Sequence, residues 1–224
     1  MKILNNVKKE HYPNKNIETV AVDALNITLK PASFDMVVGH AILHHLIDVR
    51  HFFQVSYNAL REKGVAVFTE PMMSGNLILL SLLKTLLNVN ELQSRKFTLK
   101  KQTKLNSKIV KFFNDYIVTL TVLSNAHSKM NLCKITDLDD KHLFTKQTIE
   151  YAAGQAGFNS VYFYNCKNAP RYKNHLAGLL NFVSIDYQVL PNWVQDIVQI
   201  YDESDINYEN NDILFTAVIV CTKQ

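Results

Sequence analysis

The sequence has few of the residues that build disulfide frameworks, metal fingers or disordered chains. Its three cysteines lie far apart, at positions 133, 166 and 221, and no pair has the short spacing of a zinc-binding motif. We therefore expect reduced core thiols rather than a disulfide scaffold. Six glycines and five prolines among 224 residues are too few for a collagen-like or long disordered chain. What remains is a folded globular protein.

Long hydrophobic runs are also missing. No run of about 18 apolar residues occurs, so the usual signal of a transmembrane helix is absent. The opening stretch MKILNNVKKEHYPNK is polar and lysine-rich, and it lacks the apolar core of a secretory signal. These absences predict a cytoplasmic protein.

Positive charge is concentrated in one segment. The formal net charge is only +4, yet the segment from Arg95 to Lys111 holds seven basic residues and no acidic one. Such a segment is usually a solvated helix face. Beside the apolar run LILLSLLKTLL it also suits a substrate lid or a membrane-surface contact through residues 77–111. No nucleic-acid reader motif is present, so no nucleic acid is expected as a partner. Four lysines fall on one side of the predicted helix: Lys100, Lys104, Lys108 and Lys111.

The order of apolar patterns predicts one α/β domain over residues 1–224. Runs rich in apolar residues at Glu18–Ala24, Phe34–Gly39 and Gly64–Pro71 are typical of strands, and Asp48–Glu62 has apolar residues at helical spacing. A strand, a helix and a strand of these lengths form a parallel crossover unit. Residues 74–142 are helical in pattern, and we interpret them as a helical insertion or lid. ILFTAVIVCT predicts a last strand.

Three histidines follow the second of these strands. The stretch SFDMVVGHAILHHL ends a predicted strand in His40 and continues to His44 and His45. A metal site needs three or four converging ligands, and adjacent histidines are expected to point in different directions, so no metal site is predicted. A metal site here would require an additional acidic side chain nearby as a ligand. These histidines are then either the wall of a pocket or a catalytic base, since histidine titrates near neutral pH.

The order and spacing of these segments resemble a known family. VDALNITLKPASFDMVVGHAILHHLIDVRHFFQVSYNALREKGVAVFTEP, residues 22–71, is similar to the middle of the class I S-adenosylmethionine-dependent methyltransferases, particularly the small-molecule type. The similarity continues in LFTKQTIEYAAGQAGFNSVYFY, residues 143–164. Together these segments cover roughly a third of the chain. The resemblance implies a Rossmann-like, doubly wound, mostly parallel sheet with an antiparallel last strand.

The resemblance implies a set of residues that bind the cofactor, S-adenosylmethionine. Asp23 and Ala24 match the family's acid and small residue after its third strand, where the carboxylate accepts a hydrogen bond from the adenine amino group. His40 and Ala41 follow the next strand, at the rim where open α/β sheets bind ligands. His45 matches a histidine near the methionine part of the cofactor.

Substrate and catalytic residues follow from the same resemblance. Glu70 and Met72 come at the end of the family's fifth strand and are expected to face the substrate. His44 and His45 are the candidate bases that take a proton from an acceptor hydroxyl or amine. Many methyl transfers need only proximity and alignment of the two reactants, so a base is not obligatory.

The chain departs from the family pattern at its beginning. The family's glycine-rich loop lets the backbone approach the cofactor closely, but the first glycine here is Gly39. By alignment the chain starts about two strands late, which leaves open whether it binds the cofactor by itself. In one interpretation the chain is a truncated methyltransferase for a small, perhaps apolar molecule. In another, a second chain completes its cofactor site. The alternative is a catalytically inactive, methyltransferase-like binding or regulatory protein. An N-terminally incomplete sheet would need a partner chain or a dimer to cover its exposed edge.

Overall fold

The computed structural model describes most of the domain. The described residues are 10, 15–16, 18, 20–24, 26–95, 105–124, 138–165, 171–207 and 213–224. No helix in this part of the chain is long and apolar enough to cross a bilayer. Most of the opening stretch MKILNNVKKEHYPNK lies outside the described residues.

Strands and helices alternate along the first half of the described chain, and helices dominate the second. The four strands are β1 (Phe34–His40), β2 (Leu60–Pro71), β3 (Ser160–Asn165) and β4 (Thr216–Thr222). The helices are α1 (Val49–Ala59), α2 (Met73–Arg95), α3 (Ser107–Ser124), α4 (Lys146–Gln155), α5 (Arg171–Phe182) and α6 (Asn192–Asn207). Short 3₁₀ turns cover Leu43–His45 and Tyr187–Val189.

The four described strands form one open sheet in the order β1-β2-β4-β3. β1 and β2 are parallel, as the crossover through α1 predicts, while β4 runs antiparallel to both β2 and β3. The predicted α/β class, the Rossmann-like arrangement and the antiparallel last strand are therefore confirmed. The carboxyl ends of β1 and β2 form one rim of the sheet, where His40 pairs in register with Thr69.

One face of the sheet carries the main core. Alternate residues of β2, among them Ala66 and Phe68, are fully buried, as the period of two in a strand requires. Phe53 of α1 meets Phe68 edge to face at 5.4 Å between ring centroids, and it also contacts Phe158 after α4. These contacts fix α1 and α4 against the sheet, and α1 leads directly out of the histidine segment.

The opposite face of the sheet is far more exposed. Met36 and Val38 of β1 are 55% and 66% exposed, and Tyr162 and Tyr164 of β3 are about half exposed. Among the described strands, β1 has a neighbour on one side only. In the part of the chain that the structure describes, the sheet thus presents an apolar edge and an apolar face to solvent.

A second core joins the later helices. Buried leucines of α2 pack with Ile109 and Phe113 of α3 and with Leu176 and Leu180 of α5. The helical pattern predicted within residues 74–142 is present as α2 and α3, and α5 and α6 extend the same layer. Lys108 and Lys111 are exposed on the first turns of α3, whereas Lys100 and Lys104 lie outside the described residues.

Two predicted elements differ from the structure, one in its presence and one in its end. The described residues within Glu18–Ala24 are not in a strand, and Val20 and Val22 are exposed, so that β-branched run lacks the packing that stabilises a strand. Helix α1 ends at Ala59 rather than Glu62, because the chain turns there into β2. Between the pairs Phe34–Leu60 and Met36–Val65, β2 has more residues than β1. A register shift there, with a positive φ of 64° at Lys63, accommodates them.

Candidate functional site

The site is built where β1 and β2 end side by side. Because the strands are parallel, their carboxyl ends meet at one rim, and the Ala41 N–H donates to the Thr69 carbonyl across it at 2.9 Å. His40 and Ala41 are both exposed at this rim. Two of the residues that the resemblance assigns to the cofactor therefore border open space.

The backbone at the rim is tightly packed and strained. A Cβ on Gly39 would lie 2.7 Å from the Phe68 ring and 2.8 Å from Ile42, so no larger residue fits there without movement. Ala41 has a φ of 51°, in the left-handed region that costs a non-glycine residue about 1 kcal/mol or more. This strained turn reverses the chain after β1 and directs the next residues back over the end of β2.

The Glu70 carboxylate holds the segment after β1 in place. It is fully buried, and its Oε1 accepts hydrogen bonds from the backbone N–H groups of Ile42 and Leu43 at 2.9 and 2.7 Å. Its Oε2 accepts from the His44 N–H and lies 2.6 Å from His44 Nδ1. Glu70 was predicted to face substrate, but its oxygens are taken up by these groups. Met72 is also buried, at 2% exposure.

His44 and His45 lie side by side rather than pointing apart. Their ring centroids are 4.0 Å apart, so the expectation that adjacent histidines diverge is wrong in this 3₁₀ turn. The His44 side chain is 10% exposed, and that of His45 is 47% exposed. His45 Nδ1 lies 3.0 Å from the Asp139 carbonyl oxygen. His40 is not part of this pair and stays on the exposed rim.

Asp140 completes the cluster and was missed by the sequence interpretation. Its Oδ1 lies 3.5 Å from His44 Nε2 and 3.4 Å from His45 Nδ1. Backbone hydrogen bonds hold it there, because the N–H groups of Lys141 and His142 both donate to the His44 carbonyl. The sequence around Asp140 has the pattern of a polar linker. No residue type or spacing in it indicates a contact with histidines almost a hundred positions earlier.

A second buried polar pair lies on the helices. Tyr116 of α3 and His175 of α5 share a hydrogen bond of 2.7 Å between the phenol oxygen and Nε2. Burial lowers the pKa of His175 to about 4, against the opposing effect of the Asp140 charge. Burial first, and the same Asp140 charge second, raise the pKa of Tyr116 well above its usual value. Both groups are therefore neutral at neutral pH.

Asp23 and Ala24 form a turn ahead of β1. The Asp23 carboxylate accepts a hydrogen bond from the Asn26 side chain at 2.5 Å, and its carbonyl accepts from the Asn26 N–H. Asp23 is exposed, while Ala24 packs against the main core that also contains Leu43. An exposed acceptor beside a small residue suits an adenine amino group and ring. The residues present thus fit the adenine end of S-adenosylmethionine and, at Ala41, the rim beside its methionine end.

A cavity of about 640 Å³ opens next to the cluster, between the N-terminal ends of α1 and α4. Its lining is largely apolar and includes Ile47, Val49, Phe144 and Tyr151. His142 also lines it, and a 2.9 Å contact between its Nε2 and the Leu46 carbonyl oxygen holds its ring in place. The cavity size falls within the range of small-molecule pockets.

Replacing Glu70 tests whether this carboxylate organises the rim. Glu70→Ala leaves three backbone N–H groups and the His44 ring without their acceptor inside the protein. We expect it to lower the free energy of unfolding by roughly 3 kcal/mol or more, measured by urea denaturation. The control Glu62→Ala, at an exposed position of the same strand, should stay within about 0.5 kcal/mol of the wild type. Equal effects of the two variants would refute this role of Glu70.

The buried histidine predicts a pH dependence of stability. His175 binds a proton near pH 6.5 when unfolded but only near pH 4 when folded, so the unfolded state takes up more protons between these values. Stability from this group is complete above pH 6.5 and is lost as the pH falls toward 4, by up to roughly 3 kcal/mol. Urea denaturation over this range should show a weaker pH dependence for His175→Gln than for the wild type. The exposed control His51→Gln should follow the wild type, and a parallel course of all three proteins would contradict the prediction.

Comparisons with known proteins bear on the same part of the chain. A family model described as a methyltransferase domain matches residues 2–68, which include β1, α1 and most of β2. A comparison with curated proteins finds no match. Several solved structures are similar at low identity, and the chain spans only 36% of the length of the first of them.

Three of these structures illustrate the level of similarity. Phosphoethanolamine N-methyltransferase 2 of Haemonchus contortus, in complex with S-adenosyl-L-methionine, is 18% identical with a TM-score of 0.42, over 90% of this chain and 36% of that one. An S-adenosylmethionine-dependent methyltransferase of Mesorhizobium loti is 13% identical with a TM-score of 0.47, over 99% and 76% of the two chains. A Bacillus halodurans protein described as a possible methyltransferase is 10% identical with a TM-score of 0.45, over 99% and 79%. The family match confirms what the sequence predicts: this chain resembles the class I S-adenosylmethionine-dependent methyltransferases.

Proposed function

We propose that this chain binds S-adenosylmethionine at the rim of β1 and β2 and takes part in methyl transfer to a small molecule. The observation that carries the proposal is the match of residues 2–68 to a methyltransferase domain. The carboxyl ends of parallel strands are also where open α/β sheets bind ligands. The substrate class and the activity of the chain are both part of this proposal.

The cofactor contacts we propose follow the resemblance. Asp23 accepts a hydrogen bond from the adenine amino group, and Ala24 gives the ring an apolar neighbour. His40, Ala41 and His45 border the methionine end. In support, Asp23, His40 and Ala41 are exposed, and His45 is about half exposed.

The chemistry we propose is an in-line displacement, for which the bound cofactor would supply the methyl group on a sulfonium. The chain holds the acceptor in line with that group, so that the reaction does not depend on a chance encounter of the two reactants in the right orientation. His44 is the better oriented of the two candidate bases, because the hydrogen bond from its Nδ1 to Glu70 fixes the ring and directs Nε2 toward Asp140. A base of this kind takes the proton of the acceptor hydroxyl or amine.

The acceptor we propose is small and partly apolar. The apolar lining of the cavity beside Phe144 supports this choice. We propose that residues 74–142 cover the bound acceptor as a lid. The substrate contacts predicted for Glu70 and Met72 remain proposals, and their burial means that a bound acceptor would reach them only after the rim opens.

Other parts of the proposal rest on sequence alone. These are the cytoplasmic location, the absence of a nucleic-acid partner and the membrane-surface contact through residues 77–111. The exposure of Lys108 and Lys111 is compatible with such a contact, although Lys108 also donates to the Val183 carbonyl at 2.6 Å. The alternative function is that of an inactive, methyltransferase-like binding or regulatory protein.

Cofactor binding separates the two functions. We expect titration calorimetry of the 224-residue chain with S-adenosylmethionine, and separately with S-adenosylhomocysteine, to show binding in the micromolar range. Asp23→Ala should weaken it at least tenfold, a loss of about 1.4 kcal/mol, because the adenine amino group loses its acceptor.

The matched control is Asp115→Ala, which removes an exposed carboxylate on α3. It should bind both ligands like the wild type. A folded wild-type chain that gives no heat with either ligand would reject the methyltransferase proposal and favour the non-catalytic alternative. Equal losses in Asp23→Ala and Asp115→Ala would reject the adenine role of Asp23.

We also propose that a second copy of the chain covers the exposed edge of the sheet. β1 has one neighbour among the described strands, and its residues Met36 and Val38 are apolar and more than half exposed. Two copies of one edge strand related by a two-fold axis pair antiparallel and satisfy each other's backbone groups. Such a pairing would bury both apolar edges.

Light scattering after size-exclusion chromatography tests this pairing. The wild type should have twice the mass of the 25.7 kDa chain, and Val38→Lys should have the mass of one chain. Phe182→Lys, a change at an 86% exposed position on α5, should leave the mass of the wild type unaltered. A wild-type chain that stays monomeric at tens of micromolar would rule out the dimer.

A further inference from the structure

We infer that His44, His45 and Asp140 form a binding site for a divalent transition-metal ion. His44 Nε2, His45 Nδ1 and one Asp140 carboxylate oxygen all lie within 4.8 Å of one another. The inference does not rest on the proposed methyl transfer, although it uses the His44 Nε2 atom that the proposed function assigns to a base.

The spacing of these atoms matches a metal coordination shell. In a tetrahedral site with bonds of about 2.0–2.2 Å, neighbouring ligand atoms are about 3.3–3.6 Å apart. The Asp140 oxygen lies 3.5 Å from His44 Nε2 and 3.4 Å from His45 Nδ1. Two of the three edges of the ligand triangle therefore have the required length before any ion is considered.

The His44 ring is presented as a metal ligand usually is. Metal-bound histidines commonly donate their other ring N–H to a carboxylate, which fixes the tautomer and the ring orientation. Glu70 Oε2 lies 2.6 Å from His44 Nδ1 inside the protein. With the Nδ1 proton on this hydrogen bond, the lone pair of Nε2 points toward Asp140.

His45 and its surroundings can complete the site. Its Nδ1 faces both the Asp140 carboxylate and the Asp139 carbonyl, which is 3.0 Å away. In the metal-bound form Nδ1 gives up its proton and turns its lone pair to the ion, and the Asp139 carbonyl becomes available as a further oxygen ligand. A position remains for water or another small ligand, since His45 and Asp140 are about half exposed.

Two separate chain segments bring the ligands together and hold them there. The histidines sit on a 3₁₀ turn fixed by Glu70, and Asp140 sits on a segment whose next two N–H groups donate to the His44 carbonyl. The His142 ring adds a contact of 2.9 Å to the Leu46 carbonyl oxygen. Little reorganisation is therefore needed when an ion enters.

The donor set selects the class of metal. Two imidazoles and one carboxylate suit Zn²⁺ and the other late first-row divalent ions, whereas Mg²⁺ prefers oxygen ligands alone. Without a metal, the same side chains would be held together by hydrogen bonds alone. A titration with the metal ion distinguishes these two forms of the cluster.

Titration calorimetry with Zn²⁺ tests the site directly. The full chain, freed of any histidine tag and of bound metal, is titrated with Zn²⁺ and in a separate run with Mg²⁺. We expect one Zn²⁺ per chain and no comparable heat with Mg²⁺. His45→Ala and Asp140→Asn should each weaken Zn²⁺ binding at least tenfold. Co²⁺ should give visible absorption bands typical of a tetrahedral nitrogen and oxygen site, and these should vanish in both variants.

The control is His51→Ala, which removes an exposed histidine on α1 outside the cluster. It should bind Zn²⁺ like the wild type. Circular dichroism shows whether each variant is folded, which is expected because His45 and Asp140 are half exposed. Wild-type protein without stoichiometric Zn²⁺ binding would overturn the inference. Undiminished binding in His45→Ala and Asp140→Asn, or equal loss in His51→Ala, would overturn it as well.

Discussion

The buried carboxylate of Glu70 is the constraint on which the rest of the site depends. A fully buried carboxylate is tolerated only where hydrogen bonds replace the water it has lost. Glu70 obtains them by drawing three consecutive N–H groups and the His44 ring onto the end of β2. The turn at Ala41 must then take a positive φ, and the 3₁₀ turn must present His44 and His45 side by side. One acidic residue thus connects the strand ends, the strained turn and the histidine pair.

Much of the fold around this carboxylate is predictable because it is local. The β-branched run before His40, the helical spacing after Asp48 and the run ending in Pro71 each carry their own periodicity, and short connections leave a parallel crossover as the simplest arrangement. Asp48 caps α1 by accepting from the His51 N–H, as an aspartate at a helix N-cap commonly does. The run Glu18–Ala24 carries a strand pattern as well, but a pattern yields a strand only where a partner and a packed face exist, and Val20 and Val22 are exposed.

The composition of the site was not predictable in the same way. His44 and His45 stand out in the sequence, yet whether they converge depends on the turn that Glu70 imposes. Asp140 reaches them through backbone hydrogen bonds between segments far apart in the chain, which leave no mark on residue type or spacing. The Tyr116 and His175 pair likewise forms only when α3 and α5 pack together. Long-range contacts of this kind need a structure, or many related sequences, to be found.

The histidine cluster cannot serve as a base and as a metal ligand with the same atom. Proton transfer needs the Nε2 lone pair of His44, and that lone pair is the one a metal ion would take. If the ion is present, His44 is lost as a base, and an acceptor bound to the ion would instead be acidified by it, as metal-bound water is. If it is absent, no ion takes that lone pair, and the base role proposed for His44 applies, with Asp140 Oδ1 3.5 Å from Nε2. Metal content therefore decides which of the two proposed roles the His44 ring can fill.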